Sequence, residues 1–327
     1  MDLFNRLTQN VIKHQDQGYA FYFKHKDTEI KKLNGVTKEV DSSLINFDTR
    51  FRLASVTKHF IGCGIISLIN DHKLSLDTCV KDIYPNLPNY FNNITIKNLL
   101  NHTSGIYDYE DMPHDTYGKQ IKDDDIITFL ENTEKTYFEV GTTYKYSNTA
   151  YILLGLIIQK VSGINLGKYL KEHVFDIAGL KDTLVNYEGI TQIDNRAYGH
   201  LIDDDKLIVR DQYWCSATIG DGGIYSSLND LNKWIDFLLA DNPFTELLLI
   251  PNILPNNVNS EYGLGMRVID VDGHNIYYHC GDTIGTNTLI LYSPYYNLRA
   301  VFLTNLGGID TAHIKNNIIE YLKEGNY

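Results

Sequence analysis

The apolar residues of this chain are grouped as strands near both ends and as helices in the middle. Short, densely apolar segments bounded by turn residues are typical of strands. One such segment covers 18–24, and 28–40 has the pattern of two short strands that turn near Asn34-Gly35. Further strand patterns lie in the last third of the chain, at 262–269, 275–279, 286–292 and 298–304.

Longer segments have the period of about 3.6 residues that indicates helices. The run that begins at Ser55 is apolar on nearly all sides and ends near Asn70, which is typical of a helix buried in a core. Residues 101–105 have the composition of a loop that closes a short helix. Other helical patterns cover 1–14, 120–131, 147–161, 165–174, 226–239 and 310–322.

This order of elements predicts an α+β fold. The economical arrangement is an antiparallel sheet that is formed from both chain ends and flanked by helices, an α/β/α sandwich, with a mostly helical inserted subdomain. We predict that residues 1–80 and 214–327 form the sandwich and that residues 81–213 form the insertion.

Ser55 and Lys58 belong to the pattern Ser-Val-Thr-Lys at the start of the buried helix. Residues three apart on a helix lie on the same face, one turn apart. An amine beside a hydroxyl is what a weak alcohol nucleophile needs. The pair therefore predicts a serine that forms a covalent acyl intermediate. The alternative is an N-cap serine followed by a solvated lysine.

The flanks of Lys58 favour the catalytic interpretation. The residues that follow, 60–69, are almost all apolar or small, so Lys58 starts a helix that enters a core. An isolated charge is costly in such a place. We therefore expect Lys58 to have partners that compensate its burial.

Tyr146 and Asn148 supply a second candidate piece of a site. They lie on a loop that precedes a strongly apolar helix. The Tyr146 phenol could carry the proton of Ser55, and the Asn148 amide could hold a substrate carbonyl. Other Tyr-x-Asn patterns in the chain are interpreted as turn or surface tyrosines; they are at 84–86, 90–92 and 295–297.

His279-Cys280-Gly281 ends an apolar strand and is the third piece. A backbone N–H at this strand edge could join the N–H of Ser55 in an oxyanion hole, and Gly281 would let a substrate approach the backbone closely. The alternative for His279 is a hydrogen-bonded core histidine. A Cys280 nucleophile paired with His279 is disfavoured, because neighbouring strand residues point to opposite faces.

The composition of the 327 residues is ordinary for a globular protein, with 43% hydrophobic and 21% charged residues. The net charge of −12 argues against nucleic acids and membranes as partners, since both select basic patches. No metal-binding or cofactor motif is present. Residues 1–14 lack the apolar run of a signal peptide, and a cytoplasmic location is expected.

The cysteines form no C-x-x-C pair, so free thiols in a reducing compartment are expected. They are Cys63, Cys79, Cys215 and Cys280.

Motifs at several places along the chain resemble, in order, those of the serine β-lactamase and penicillin-binding-protein superfamily. They are closest to the branch of class C β-lactamases, D-stereospecific peptidases and related esterases. The resemblance extends from about residue 51 to residue 307. The matching segments are FRLASVTK at 51–58, IKNLLNHTSGI at 96–106, YKYSNTAY at 144–151 and HCG at 279–281, with Gly285 beyond.

The resemblance implies a role for each motif. Ser55 would be the acylated nucleophile, and Lys58 and Tyr146 would share general-base work. Asn148 would contact the substrate amide. The N–H groups of Ser55 and Asp282 would form the oxyanion hole.

His279 would take the place of the lysine that faces a substrate carboxylate in β-lactamases. Because histidine is mostly neutral near pH 7, it attracts a penicillin carboxylate less than lysine does. We therefore expect an esterase, or a D-aminopeptidase or DD-peptidase, that acts on small ester or D-amino-acid substrates without a cofactor. Substrate choice is expected to depend on segments 108–125 and 198–214.

Two alternatives stay open. One is a class C-type β-lactamase. The other is a penicillin-binding or sensor module that kept the pocket and has little turnover. The sequence does not indicate the oligomeric state.

Overall fold

The computed structural model describes residues 1–38, 43–112 and 118–325. The strands, in chain order, are Tyr19–His25 (β1), Thr28–Asn34 (β2), Phe51–Arg52 (β3), Leu184–Val185 (β4), His200–Asp203 (β5), Lys206–Val209 (β6), Ile224–Ser226 (β7), Arg267–Val271 (β8), His274–Thr283 (β9), Thr286–Ser293 (β10) and Leu298–Thr304 (β11).

The main sheet has six antiparallel strands in the order β2-β1-β11-β10-β9-β8. Strands from the two ends of the chain meet where β1 pairs with β11, so the predicted sheet is confirmed. A small sheet has the order β3-β7-β4, and β5 and β6 form a hairpin.

The α-helices, in chain order, are Leu3–Leu7 (α1), Thr57–Asn70 (α2), Val80–Ile83 (α3), Ile96–Leu100 (α4), Asp123–Glu131 (α5), Asn148–Ser162 (α6), Leu166–Leu170 (α7), Leu228–Leu239 (α8), Thr245–Leu248 (α9) and Ala312–Lys323 (α10). A π-helical turn, Lys171–Phe175, follows α7. Helices α4 to α7 lie within residues 81–213, the region predicted as an insertion, and α3 begins one residue before it; the predicted division of the chain stays a prediction.

The main sheet is covered on both faces because successive strand residues point to opposite sides. Phe21 and Phe302 face a core that includes residues of α1 and α10. Tyr22 and Val301, one position away on the same strands, face a larger core with α2, α6 and α8. The predicted α/β/α sandwich is thus confirmed, and the second core is the one that carries the buried helix after Ser55.

The predicted turn near Asn34-Gly35 is wrong. The hairpin turn lies between β1 and β2, where Lys26 has a positive φ of 51°. After Gly35 the chain leaves the sheet, and Val36 makes only an isolated bridge to Leu44. The end of the predicted strand pair, residues 39 and 40, lies outside the described residues.

Most predicted helices and strands agree with the structure to within a few residues. The main differences are that the helix predicted over 1–14 covers only Leu3–Leu7, that α2 begins at Thr57 after a 3-10 turn, and that the strand expected from residue 262 begins at Arg267. No single helix in the described ranges is long and apolar enough to cross a bilayer; α6 and residues 166–175 pass by length and composition only as a pair bent by 83°. All four cysteines are free, as expected.

Candidate active site

Ser55 lies on the 3-10 turn Ala54–Val56 that leads into α2. The preceding residue, Ala54, has a φ of 48°, which is uncommon for a residue with a side chain and is often found at functional sites. Strand β9 packs against this turn. The structure therefore holds the Ser55 hydroxyl on a tight turn at the start of a buried helix.

Gly281 of β9 makes that packing possible. A Cβ atom at this position would lie 2.2 Å from the Leu53 carbonyl oxygen and 2.3 Å from Thr288 Oγ1. Thr288 Oγ1 also donates to the same carbonyl over 2.8 Å. The sequence predicts that a substrate approaches the backbone closely at Gly281. In the structure the Leu53 carbonyl, just before Ser55, occupies the space that the glycine leaves.

Lys58 is completely buried, and its ammonium donates to three acceptors. Nζ lies 3.2 Å from Ser55 Oγ, 2.7 Å from Asn148 Oδ1 and 2.9 Å from the Asp221 carbonyl oxygen. These bonds use all three N–H groups of the ammonium. The predicted contact between Ser55 and Lys58 is present. Asn148 and Asp221, which belong to two other segments, orient the Lys58 ammonium.

Tyr146 contacts Lys58 through its ring. Nζ of Lys58 lies 4.9 Å from the ring centroid. The Tyr146 hydroxyl is buried and has no hydrogen-bond partner among the described residues. His102 packs against the ring, with centroids 4.4 Å apart. The structure brings Tyr146 next to Lys58, but its hydroxyl is not hydrogen-bonded to Ser55 or to Lys58.

Asn148 is the first residue of α6, and Asp108 fixes it there. Oδ2 of Asp108 accepts from the backbone N–H of Asn148 over 2.7 Å and from that of Thr149 over 3.3 Å. Burial raises the pKa of Asp108, and the N–H donors oppose that rise. Carboxylates are stabilised at helix N-termini, so Asp108 orients the turn that carries Asn148.

His102 holds the loop that carries Tyr146 through a hydrogen bond to the backbone of that loop. Its Nδ1 accepts from the backbone N–H of Ser147 over 3.1 Å, which assigns the ring proton to Nε2. Burial lowers the pKa of His102 well below its usual value, and the charges of Lys58 and Arg267 add to this. His102 is therefore a neutral positioning residue.

His279 is 1% exposed and lies behind the site. Its Nδ1 donates to the Cys280 carbonyl oxygen over 2.7 Å, and its Nε2 accepts from the Tyr262 hydroxyl over 3.1 Å. Burial, then the charge of Arg267, lower the pKa of His279 well below its usual value. The Cys280 side chain packs on the opposite face of the sheet, so the two side chains do not meet.

A pocket of about 320 Å³, which includes solvent at its mouth, opens beside Ser55. Ser55, Asn148 and Asp282 line it, whereas His279 and Gly281 do not. Of the segments expected to shape specificity, 108–125 contributes two residues to the lining and 198–214 contributes none among its described residues. The remaining lining residues are Arg52, Ala54, Tyr109, Glu110, Cys215, Thr218, Asp221, Gly222 and Thr283.

The pocket wall contains two carboxyl groups that sequence reasoning missed. Asp221 Oδ2 accepts from the Tyr109 hydroxyl over 3.0 Å, while Asp221 Oδ1 is buried without a partner among the described residues. Glu110 is a solvent-exposed residue at the pocket. Protein packed around its carboxyl and the charges of Asp221 and Asp108 raise the pKa of Glu110 to about 7.

Arg52 is the cation in the pocket wall; two backbone carbonyls hold it, and its Nη1 is buried without a partner among the described residues. Its Nη2 donates to the Ser216 carbonyl over 2.9 Å and its Nε to the Gly222 carbonyl over 3.2 Å. The other charged groups that line the pocket are carboxyl groups, Glu110, Asp221 and Asp282. The pocket is therefore acidic overall.

The signal for Asp221 was the loop Gly220-Asp221-Gly222-Gly223, which stands out in the sequence as a tight turn. A Cβ atom on Gly220 would lie 2.5 Å from the Tyr151 carbonyl oxygen of α6, so only glycine lets the loop come this close. The approach brings the Asp221 carbonyl to Lys58. Glu110 gave no such signal. Among the described residues no group of three metal-ligating side chains is present.

Comparison with known families decides the classification. The model of the Beta-lactamase family matches residues 4–321. The chain belongs to the β-lactamase family. It is a serine hydrolase of that family, in agreement with the resemblance of its motifs.

Among curated relatives, the chain is 28% identical over 312 residues to penicillin-binding protein 4* of Bacillus subtilis, covering 90% of this chain and 69% of that protein. It is 27% identical over 271 residues to Protein flp of Staphylococcus aureus, covering 79% of this chain. The chain spans 53%, about half, of the length of Protein flp.

Solved structures of the same fold include two informative neighbours. The octameric penicillin-binding protein homologue from Pyrococcus abyssi superposes with a TM-score of 0.82 at 22% identity, over 98% of this chain and 76% of that one. D-amino acid amidase from Ochrobactrum anthropi SV3, complexed with D-phenylalanine, has a TM-score of 0.78 at 22% identity, over 99% of both chains. These likenesses establish the fold.

Proposed function

We propose that this β-lactamase-family enzyme hydrolyses small amides and esters of D-amino acids that keep a free ammonium group, through an acyl-enzyme on Ser55. The observation that carries the proposal is the acidic pocket wall beside Ser55, formed by Glu110 and Asp221. A cationic substrate is the partner that such a wall selects.

The reaction begins when Ser55 Oγ attacks the substrate carbonyl carbon. The hydroxyl proton passes to Lys58, which is in hydrogen-bond contact with Oγ and takes the proton when it is in its neutral amine form, or to Tyr146 beside it when that group is a phenolate. The backbone N–H groups of Ser55 and Asp282 are the proposed donors to the oxyanion. The leaving amine or alcohol takes a proton as the acyl-enzyme forms. Water then attacks the ester, which releases the acid and restores the Ser55 hydroxyl.

The pocket charges argue for an ammonium rather than a carboxylate on the substrate. At the position of the β-lactamase lysine, His279 is buried and neutral, so it offers no cation to a penicillin carboxylate. Asp221 Oδ1 is a buried acceptor without a partner among the described residues, which is costly unless a donor arrives. An α-ammonium group supplies that donor.

The D-configuration is proposed by analogy. The solved neighbours include a D-amino acid amidase and a D-stereospecific amidohydrolase from Streptomyces, at 22% and 20% identity. These neighbours share the fold of this chain, and the substrate panel tests the D-configuration.

The test is a substrate panel on wild type and Ser55→Ala. It contains D- and L-amino-acid p-nitroanilides, p-nitrophenyl esters and nitrocefin. We expect turnover of the D-amino-acid substrates, little turnover of nitrocefin, and loss of both activities in Ser55→Ala. Efficient nitrocefin turnover that Ser55→Ala abolishes would instead establish a β-lactamase, and acylation without turnover would establish a penicillin-binding module.

The acidic wall has its own matched controls. Glu110→Gln and Asp221→Asn remove the charges while keeping size, and the Asp221 carbonyl that binds Lys58 is retained. We expect KM to rise for D-amino-acid anilides and to stay near the wild-type value for their N-acetylated forms. Equal changes for both substrates would contradict ammonium recognition.

A further inference from the structure

Asp123, the first residue of α5, carries a buried carboxyl group that lies outside the pocket beside Ser55. Its Oδ1 accepts from the backbone N–H of Ile219 over 2.7 Å, and its Oδ2 accepts from that of Gly220 over 3.3 Å. These partners lie 96 and 97 positions further along the chain. Asp123 therefore joins α5 to a distant loop.

The loop that receives these bonds is a tight turn that begins at Ile219. The Ile219 carbonyl accepts from the backbone N–H of Gly222 over 3.2 Å and from that of Gly223 over 2.8 Å. The first of these bonds is the one typical of a β-turn. Because Asp123 binds the N–H of Ile219 and the turn uses its carbonyl, both polar backbone groups of Ile219 are fixed.

The same turn carries the carbonyl group that orients Lys58. Asp221 occupies the third position of the turn, and its carbonyl oxygen accepts from Lys58 Nζ over 2.9 Å. This carbonyl lies only one residue beyond Gly220, whose N–H is bound by Asp123. A shift of the turn away from Asp123 would therefore move the acceptor that Lys58 uses.

We propose that Asp123 is a positioning residue for acylation, because its carboxyl group holds the turn that presents the Asp221 carbonyl to Lys58. The inference rests on the proposed acyl-enzyme route through Ser55, but not on the choice of substrate. Asp123 acts through Lys58 and touches no reacting atom. Without this anchor, the Lys58 ammonium would keep Ser55 and Asn148 as partners and lose the third acceptor that fixes its direction.

A local helix cap is a competing role for Asp123. Acidic side chains near a helix N-terminus commonly accept from N–H groups of the same turn. In α5 that role belongs to Asp125, whose Oδ2 accepts from the Lys122 N–H over 2.9 Å. Both oxygens of Asp123 bind the distant turn instead. The geometry thus separates the residue that caps α5 from the residue that holds the turn.

A ligand in a second pocket is the other competing partner. Asp123 lines a separate pocket of about 720 Å³, which includes solvent at its mouth, together with Lys122, Asp124 and Glu188. Both Asp123 oxygens already accept from backbone N–H groups, and the described residues hold no group of three metal-ligating side chains. The carboxyl group is therefore committed to the turn.

The free-energy cost of this carboxyl group argues against a purely structural role. Burial raises the pKa of Asp123 to about 8, and the charges of Asp221 and Asp124 add to the rise, while the two N–H donors oppose it. In the unfolded chain the group ionises at about pH 4. The folded state therefore binds the proton more tightly, and stability falls as the pH rises from about 4 towards 8. A residue that lowers stability near the site is typical of a functional residue.

The test compares Asp123→Ala and Asp123→Asn with wild type. The measured quantities are the rate of Ser55 acylation by an uncharged p-nitrophenyl ester, KM and the midpoint of chemical denaturation. Asp123→Ala removes both acceptors, and we expect it to slow acylation about 10- to 100-fold with little change in KM. Should that variant unfold, Asp123→Asn provides the test on its own.

Asp123→Asn keeps the size of the side chain and one acceptor oxygen. We expect it to slow acylation about 3- to 10-fold. Its denaturation midpoint is expected to equal or exceed that of wild type, because the costly carboxyl group is gone. This split between rate and stability is the result that a purely structural role does not produce.

Epistasis with Lys58 separates positioning from a general loss of structure. In the Lys58→Met background, the slow labelling of Ser55 by a fluorophosphonate is measured with and without Asp123→Asn. The second substitution is expected to have less than about twofold effect there, because no ammonium is left to orient. Asp125→Ala is the matched control: it removes the capping carboxyl group from the same turn of α5 and is expected to acylate like wild type.

The contradicting results are distinct. Wild-type acylation in a folded Asp123→Asn would overturn the proposal, and so would equal slowing by Asp123→Asn in the wild-type and Lys58→Met backgrounds. Acylation as slow in Asp125→Ala as in Asp123→Asn would assign Asp123 to the integrity of α5 and would also overturn it. Wild-type protein that is never acylated at Ser55 would count against the proposed function, whereas normal acylation of the Asp123 variants would count against this inference alone.

Discussion

The Lys58 ammonium donates a 2.7 Å hydrogen bond to the side-chain oxygen of Asn148. This bond joins the start of α2 to the start of α6, and it is shorter than the contact of Lys58 with Ser55. It orients the Asn148 amide, because the oxygen is committed to Lys58 and the NH₂ group, which hydrogen-bonds the Glu110 side chain, is the proposed donor to a substrate carbonyl. Asn148 holds Lys58, and we propose that it also binds substrate.

Replacing Asn148 tests that dual function. In Asn148→Ala, Lys58 loses a buried acceptor and the substrate loses a donor, so we expect acylation to slow about 10- to 100-fold. Asn148→Asp keeps the acceptor but introduces a carboxylate that pairs with the ammonium, and it is expected to be at least as slow. Stopped-flow acylation by a p-nitrophenyl ester measures both. A rate within twofold of wild type for Asn148→Ala would exclude the assignment.

The acidic wall predicts that kcat/KM depends on pH for cationic substrates in a way that it does not for uncharged ones. The pKa of Glu110 is about 7, so its carboxylate forms as the pH rises through 7. The substrate ammonium is lost above about pH 8. For a D-amino-acid anilide, kcat/KM relative to that of an uncharged ester is therefore expected to reach a maximum between these values.

The control for this pH profile is Glu110→Gln. It is expected to remove the rise on the acid side of the maximum and to leave the alkaline side in place. A ratio that is unchanged between pH 6 and 8 in wild type would show that Glu110 does not select the ammonium.

Gly281 is predicted to be essential for the position of Ser55. A methyl group at this site would overlap the Leu53 carbonyl oxygen and Thr288 Oγ1. We expect Gly281→Ala to lower the free energy of unfolding by about 1–3 kcal/mol and to reduce acylation. The matched control is Asn275→Ala at the exposed start of the same strand, which should change neither quantity. Wild-type unfolding and acylation in Gly281→Ala would contradict the packing described here.

A buried histidine next to Lys58 predicts sensitivity to acid. His59 is completely buried, neither ring nitrogen has a partner among the described residues, and burial lowers its pKa to about 3. In the unfolded chain it takes up a proton near pH 6.5. Below that pH the unfolded state binds more protons, so stability falls, by about 1.4 kcal/mol per pH unit until the folded-state pKa is reached.

His59→Phe keeps a ring of similar size and removes this titration. Between pH 7.5 and 5.5, wild type is expected to lose about 1.4 kcal/mol more of its free energy of unfolding than the variant does. Chemical denaturation at the two pH values provides the comparison. Equal losses in the two proteins would show that His59 is protonated in the folded state.

Local patterns were sufficient for the parts of the site that lie close together in sequence. Ser55 and Lys58 are three residues apart, so helical geometry alone predicts their contact. Strands β9, β10 and β11 could be predicted because each is a dense apolar segment bounded by turns. The same logic failed where an element has only two or three residues, as in β3, β4 and β7.

The other site residues depend on tertiary contacts that have no local signature. Glu110 and Asp221 lie 111 positions apart and meet only because both segments pack on the start of α6. Asp123 is an unremarkable first residue of a helix until the fold places its carboxyl group beside the turn at 219–220. The sequence-based interpretation of His279 as a substrate contact did not anticipate its burial, because solvent exposure at a strand end depends on the elements that cover it.

The most direct test of the account is the intact mass of the protein after incubation with a fluorophosphonate, followed by peptide mapping. We predict a single adduct of the reagent on Ser55 in wild type, none in Ser55→Ala, and strongly slowed labelling in Lys58→Met. An unlabelled wild-type protein, or an adduct carried by any other residue with Ser55 unmodified, would contradict the assignment of Ser55 as the nucleophile.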